Sequence, residues 1–72
     1  MGNLKLVNRL KVGRAERGLT QAELGRLAGV TRQTISSIEN GEFVPSALLA
    51  FILAKCLDMP VEQLFRLEGE ES

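Results

Sequence analysis

The chain has 72 residues, 44% of them hydrophobic, and its nine basic and nine acidic side chains give a formal net charge of zero. A chain this short allows one domain and buries only about 60% of the surface that it exposes when unfolded. One cysteine and no histidine exclude an intrachain disulfide and a Cys-His zinc site. With no signal-peptide pattern and no apolar run of about 18 residues, we expect a cytoplasmic chain without membrane or metal partners.

The charges are unevenly distributed along the chain. Residues 1–40 hold seven basic and three acidic side chains, a net charge of +4. Residues 41–72 hold two basic and six acidic side chains, a net charge of −4. A basic half within a neutral chain is compatible with a nucleic-acid partner for that half.

The N-terminal region predicts a lead-in followed by a helix. Residues 1–7 contain NLKLV, whose partial alternation fits a short strand or an irregular segment. Residues 8–17 are expected to form the first helix, with Leu10 and Val12 directed inward. Gly13 is a poor helix former in its middle, so we expect local looseness there.

Two short helices joined by a glycine turn are predicted next. Thr20 followed by Glu23 is a capping box that begins the second helix, and Gly29 tolerates the positive φ that would end it after about two turns. Gly25 lies where this helix and the next would cross, and it lets the backbones approach at a cost of ~1 kcal/mol relative to alanine. We expect a larger residue there to separate the helices. The apolar residues of this helix that fall at helical spacing are Ala22, Leu24, Leu27 and Ala28.

The third helix has one apolar side and one polar side. Thr31 can cap it, and Ile35 and Ile38 lie three residues apart on its inner side. The opposite side carries Arg32, Gln33, Ser36 and Ser37.

The fourth helix is apolar on nearly every side. Ser46 caps the segment SALLAFILAKCLD. If its inward residues are Leu49, Leu53, Ala54 and Leu57, then Leu48 and Ile52 remain on an outward side. Such an exposed apolar pair indicates a dimer interface, unless a terminal segment of the same subunit covers it.

The C-terminal region ends in a short helix and an acidic tail. Pro60 opens the helix, which continues to about Phe65. Residues 66–68 can extend as a strand that pairs with residues 5–7 of the same or another subunit. Residues 68–72 are expected to form an acidic, disordered tail.

The stretch from Thr20 to Gly41 resembles the helix-turn-helix of the Cro/cI-type (XRE) family of bacterial, archaeal and phage regulators. The likeness covers residues 8–67, which we treat as one DNA-binding domain. It implies an all-α, compact five-helix bundle with a central helix-turn-helix, as in lambda-repressor-like DNA-binding domains, and leaves short terminal strands open. The features that carry it are LTQAEL, Gly25, Gly29-Val30, Ile35, Ile38 and the closing ENG.

The resemblance implies a sequence-specific transcriptional regulator that binds double-stranded DNA as a homodimer on a palindromic operator. Its recognition helix would be residues 31–39. An α-helix fits the major groove, and arginine and glutamine can each form two hydrogen bonds with a base edge. The candidate base contacts are therefore Arg32, Gln33, Ser36 and Ser37.

Phosphate contacts would position this helix. The family uses a glutamine at the position of Gln21, where the start of the second helix favours an anion. Arg9 and Arg17 are equally well explained as solvated surface charges, and Asn40 can instead cap the third helix. The full set of candidate phosphate contacts is Gln21, Thr31, Thr34, Arg17, Arg9 and Asn40.

Two further features follow from the resemblance. It places Arg14 opposite Glu39, where family members often have a bidentate ion pair, although two solvated charges worth ~0–1 kcal/mol are the alternative. Glu42 stands where the family tends to carry a basic residue, and it would repel phosphate. This departure weakens any phosphate contact from the loop after Gly41, and it suggests modest affinity or a different docking angle.

The functional alternatives differ in class. Without histidine, tyrosine or tryptophan, the chain offers no nucleophile–base pair, so we expect neither an enzyme nor a cofactor. The rival is a protein-interaction module of the same fold, an antitoxin or adaptor, which Glu42 and zero net charge favour. Arg32 and Gln33 favour the regulator. We expect a repressor, associated with the nucleoid when bound to DNA, because occupancy of a promoter needs no attached sensor.

Overall fold

The computed structural model describes residues 2–69, and within this range five helices lie between two short strands. No helix of these residues is long and apolar enough to cross a membrane. The predicted helical fold with short terminal strands is confirmed. In chain order the elements are β1 (Lys5–Asn8), α1 (Leu10–Glu16), α2 (Gln21–Ala28), α3 (Arg32–Glu39), α4 (Ala47–Cys56), α5 (Val61–Leu64) and β2 (Phe65–Glu68).

The core draws a fully buried branched side chain from each helix or its cap. Each such leucine or isoleucine contributes about 1.5–3 kcal/mol through its removal from water. Because every helix supplies part of this core, none of them is expected to be stable when separated from the others. The fully buried side chains are Leu10, Leu24, Ile35, Ile38, Leu53, Leu57 and Leu64.

The terminal strands pair with each other within the chain. β1 and β2 are antiparallel, with Lys5 opposite Glu68 and Asn8 opposite Phe65. Glu68 therefore lies in a strand, although the sequence suggested that the acidic tail begins there. Residues 70–72 of that predicted tail lie outside the described residues.

The side chain of Asn8 fixes the junction between β1 and the helices. Its Oδ1 accepts a hydrogen bond from the Leu10 backbone N–H (3.0 Å), and its Nδ2 donates to the Ile38 carbonyl (2.9 Å). Helix α1 consequently begins at Leu10 rather than at the predicted residue 8. The strand is thereby tied to the C-terminal end of α3.

Two predictions about α1 are wrong. Val12 is exposed rather than directed inward, so it does not contribute to the core. Gly13 does not mark a loose segment, because it is buried. A Cβ atom there would lie 2.8 Å from Sδ of Met59 and 3.1 Å from Cδ1 of Leu57. The glycine lets these two side chains pack against α1.

Candidate nucleic-acid interface

The turn between α2 and α3 sets the position of α3. Gly29 ends α2 with φ of 79°, and the Val30 N–H donates to the Gly25 carbonyl at 2.8 Å. A Cβ atom on Gly25 would lie only 2.7 Å from the Val30 carbonyl oxygen and 3.2 Å from the Thr31 carbonyl. The predicted close approach at Gly25 is confirmed, and its neighbour is backbone rather than a side chain.

The start of α2 is fixed by the predicted capping box. The Thr20 hydroxyl accepts from the Glu23 N–H (3.0 Å), and the Glu23 carboxylate accepts from the Thr20 N–H (2.8 Å). The hydrogen bonds from the Thr20 backbone and side chain, with a smaller contribution from the charge of Arg26, lower the pKa of Glu23 below its usual value of 4.5. The Glu23 carboxylate is therefore ionised and accepts a hydrogen bond at neutral pH. Both hydrogen bonds of the capping box are formed.

Helix α3 offers a polar face to solvent. Ile35 and Ile38 are fully buried on its other side. Arg32 and Gln33 are exposed, whereas Ser36 and Ser37 are half-buried. The Gln33 Nε2 lies 3.3 Å from the Ser37 Oγ, a long contact on the surface. The structure thus brings the four predicted base-contacting side chains together on one helix.

Arg14 and Glu39 join α1 to the C-terminal end of α3. The Arg14 Nε lies 2.7 Å from the Glu39 Oε2, and the Arg14 Nη2 lies 3.3 Å from the Oε1. Only 15% of the Arg14 side chain and 3% of the Glu39 side chain are exposed. Arg14 also donates to the Leu19 carbonyl (2.9 Å), so the guanidinium links three segments. This geometry is a two-point ion pair away from water, unlike two solvated charges.

Gln21 joins this ion pair. Its Nε2 donates to the Glu39 Oε1 at 3.1 Å, so the side chain at the start of α2 is directed toward the end of α3. Gln21 was predicted to contact phosphate, and its contact with Glu39 was not predicted. No local pattern indicates it, because the two residues are 18 positions apart.

The other predicted phosphate contacts fall into two groups. Thr31 caps α3, its Oγ1 accepting from the Thr34 N–H at 3.1 Å, and Asn40 lies at the opposite cap. These three residues therefore surround the polar face. Arg17 instead faces Asp58, with its Nη2 3.8 Å from the carboxylate, and Arg9 lines hollows beside α5 and β2.

Arg9 and Arg17 lie at the two ends of α1 and contact the C-terminal half of the chain, and their assignment to phosphate stays a prediction. Arg9 lies directly before α1, and its backbone N–H donates to the Leu64 carbonyl at 2.9 Å. Arg17 follows α1, and its Nη2 donates to the Asp58 carbonyl at 3.4 Å. The two arginines thus contact the C-terminal half of the chain, which sequence separation concealed.

An aromatic side chain that the sequence analysis did not single out lies beside α3. Phe43 is 47% exposed and lines a hollow of about 340 Å³ together with Gln33, Thr34, Ser37 and Glu42. An aromatic residue in the loop after Gly41, without a place in the helical pattern, was a signal for this contact.

The outward side of α4 is apolar, and it includes Phe51. Leu48 is 71% exposed and Phe51 is 61% exposed, whereas Ile52 is half-buried. The sequence analysis named Leu48 and Ile52 but omitted Phe51. The spacing of three residues between Leu48 and Phe51 would have placed them on the same side of a helix.

Within residues 2–69, no group of three His, Cys, Asp or Glu side chains is arranged to hold a metal ion. The exposed polar side of α3 carries hydroxyls, amides and a guanidinium, groups that can form hydrogen bonds with base edges and phosphates.

Comparison with known proteins identifies similar sequences along most of the chain. A family model described as helix-turn-helix matches residues 10–64. The uncharacterized HTH-type transcriptional regulator YgzD of Bacillus subtilis is 48% identical over 63 residues, which cover 88% of this chain and 96% of YgzD. An uncharacterized HTH-type transcriptional regulator of Methanocaldococcus jannaschii is 45% identical over 64 residues, which cover 89% of this chain and 97% of the relative.

Two solved structures have the same arrangement of helices. The restriction-modification controller protein C.AhdI from Aeromonas hydrophila is 31% identical with a TM-score of 0.73, over 76% of this chain and 80% of its own. The P22 c2 repressor, in complex with synthetic operator 9T, is 30% identical with a TM-score of 0.72, over 75% of this chain and 82% of its own.

Proposed function

The chain belongs to the Cro/cI-type (XRE) family of helix-turn-helix transcriptional regulators, and on this premise we propose that it binds a palindromic operator as a homodimer and represses transcription. The observation that carries the proposal is the polar face of α3, where Arg32 and Gln33 are exposed opposite a buried apolar side. The P22 c2 repressor, solved on an operator duplex, supports both the DNA partner and the repressor role.

The dimensions of α3 suit the major groove. An α-helix with its side chains is about 10–12 Å across, close to the groove width of about 12 Å, and α3 has eight residues along which base edges can be contacted. Arg32 can donate to guanine O6 and N7, and Gln33 can pair with adenine N6 and N7. The contact of Gln33 with Ser37 is long, so a base can replace it at little cost. Ser36 and Ser37 provide hydroxyls further along the groove.

Phosphate contacts are proposed at the rim of this face. The exposed Thr31 hydroxyl and the half-buried Thr34 hydroxyl lie at the start of α3, and Asn40 lies at its end. Gln21 has one amide oxygen free to accept and a second Nε2 hydrogen free to donate beyond its bond with Glu39. Contacts of this kind fix the register of the helix and carry no base preference by themselves.

The rigid attachment of α3 favours sequence discrimination. The Arg14–Glu39 ion pair and the backbone packing at Gly25 fix the two ends of α3 against α1 and α2. Base contacts then need little ordering on binding, which would otherwise reduce the affinity.

A dimer is proposed because one α3 helix contacts only a few base pairs. Two such helices about 34 Å apart would occupy successive turns of the major groove and match a palindrome. The apolar side of α4, with Leu48 and Phe51 exposed and Ile52 half-buried beside them, is the surface proposed to pair.

Salt-dependent binding tests the DNA partner. Fluorescence anisotropy with a labelled random duplex should give an affinity that falls about tenfold between ~50 and ~200 mM salt, the loss expected if Arg32 of each subunit in a dimer neutralises one phosphate of a duplex that lacks the operator sequence. Absence of binding, or binding insensitive to salt, would instead favour the protein-interaction module that Glu42 and the zero net charge suggest.

Sedimentation equilibrium tests the dimer. Because Ile52 is half-buried, the substitutions Leu48→Lys and Phe51→Lys are preferred, since both side chains are mostly exposed and should tolerate lysine without unfolding. We expect the double variant to sediment as the 7.9 kDa chain and to lose operator affinity. Leu27→Lys, at a similarly exposed residue of α2, is the matched control and should remain dimeric. An unchanged mass in the double variant would exclude the α4 interface.

A further inference from the structure

The loop after α3 folds back onto that helix and holds Phe43 beside it. The backbone N–H groups of Glu42 and Phe43 both donate to the Ser37 carbonyl, at 2.9 and 3.2 Å. About half of the Phe43 side chain remains exposed, and it does not join the buried core. An aromatic ring is thus fixed next to the polar face of α3 without a structural role in the core.

The hollow beside this ring has the wrong charge for phosphate. It is bounded by Gln33, Thr34 and Ser37 on the helix and by Glu42 and Phe43 on the loop. These lining residues include a carboxylate and no cation, so a phosphate inside the hollow would be repelled. The phosphate contact proposed for the Thr34 hydroxyl would lie outside it, beside the Thr31 hydroxyl. Base edges in the major groove carry amino donors and, on thymine, a C5-methyl group, which are compatible with a carboxylate and an aromatic ring.

Resting on the proposed function, we propose that Phe43 contacts the C5-methyl group of a thymine next to the base that Gln33 contacts. Gln33 and Phe43 line the same hollow, so a helix that brings Gln33 to a base edge brings the ring into the same part of the groove. Thymine is the DNA base that has an apolar group in the major groove, and burial of that methyl against the ring removes both from water.

Replacement of thymine by deoxyuridine tests this contact, because it deletes the methyl group and leaves base pairing intact. A site is first selected by the unmodified protein from a random duplex pool, and each thymine is then replaced singly. At one position per half-site we expect about fourfold weaker binding, equivalent to the ~0.8 kcal/mol of one buried methyl-sized group at 1.4 kcal/mol per tenfold. At that position, Phe43→Ala should bind the thymine duplex and the deoxyuridine duplex with equal affinity.

Leu67→Ala is the matched control, because it shortens a similarly exposed apolar side chain in β2, away from the hollow. It should retain the fourfold response to deoxyuridine. Circular dichroism of Phe43→Ala should match the unmodified protein, since the side chain lies outside the core.

Three outcomes would overturn the inference. If no deoxyuridine position distinguishes the unmodified protein from Phe43→Ala, the ring does not contact a thymine methyl, while a selected site still supports the proposed function. If Phe43→Ala changes the sedimenting mass and leaves the deoxyuridine response intact, the ring belongs to a protein interface. If the unmodified protein selects no site at all, the proposed function fails together with the inference.

Discussion

Gly25 provides a sharp test of how the turn positions α3. In Gly25→Ala the new Cβ atom would lie 2.7 Å from the Val30 carbonyl oxygen, which must move by about 0.7 Å to reach an ordinary contact of 3.4 Å. That oxygen belongs to backbone and cannot rotate away, so the cost falls in the upper part of the ~1–3 kcal/mol range for overpacking. Alanine recovers ~1 kcal/mol of helix propensity. We expect a net loss of about 1–2 kcal/mol in the free energy of unfolding.

Gly13→Ala is the matched control, since it also adds one methyl group to a buried helical glycine. Its new Cβ atom would lie 2.8 Å from Sδ of Met59, the flexible end of a side chain that can change rotamer. The propensity gain should offset this smaller cost, leaving the stability within about 1 kcal/mol of the unmodified protein.

Urea unfolding followed by circular dichroism measures both variants. At a slope of ~1 kcal/mol per M, the Gly25→Ala midpoint should fall by about 1–2 M, and the Gly13→Ala midpoint should change less. A Gly25→Ala variant as stable as Gly13→Ala would refute the claim that close backbone packing at this glycine fixes the α2–α3 turn.

Two further predictions concern the ion pair and the capping box. Arg14→Met or Glu39→Leu alone should each lower the free energy of unfolding in urea by about 3 kcal/mol, because one charge remains buried without its partner. The double variant should lose less than the sum of the two single losses. Strictly additive losses would contradict a coupled pair. The pKa of Glu23 is lower in the folded chain than its usual value of 4.5. As the pH falls, the carboxylate is therefore protonated in the unfolded chain before it is protonated in the folded chain. The free energy of unfolding should consequently decrease as the pH falls through 4.5 and below. Glu23→Gln should remove this part of the decrease in acid titrations of stability, and a decrease identical to that of the unmodified protein would exclude the capping carboxylate as its source.

The sequence predicted the features that depend on local chemistry. The capping box needs only Thr20 and Glu23 at a spacing of three, and a helix end at Gly29 follows from the tolerance of glycine for positive φ. Gly25 was predicted from the same segment, because a glycine inside a helix needs a packing reason. Each of these involves residues within about ten positions of one another.

Features that depend on distant contacts were predicted poorly. Helix α1 has only seven residues, so the 3.6-residue period distinguishes its two sides weakly, and Val12 was wrongly predicted to face inward. The packing reason for Gly13 lies in Met59, more than forty residues away.

The candidate interface was predicted unevenly for the same reason. The polar face of α3 follows from its own sequence, whereas Phe43 becomes relevant only because the loop bonds back to the Ser37 carbonyl. Arg9 and Arg17 were predicted as phosphate contacts or as solvated surface charges, and the bonds of the Arg9 backbone to Leu64 and of the Arg17 side chain to Asp58 could not be inferred from the sequence. Charge therefore predicted a basic half but not which basic side chains accompany α3.

The central claim is that the exposed face of α3 discriminates between DNA sequences, and the affinity of Gln33→Ala for two duplexes tests it most directly. Dissociation constants would be measured at fixed salt for the selected operator and for a scrambled duplex of equal composition. The loss of a two-point contact worth ~1–3 kcal/mol should reduce the ratio of the two constants by at least about fivefold, with binding to the scrambled duplex unchanged. An equal loss of affinity on both duplexes would assign Gln33 to the DNA backbone and contradict the account.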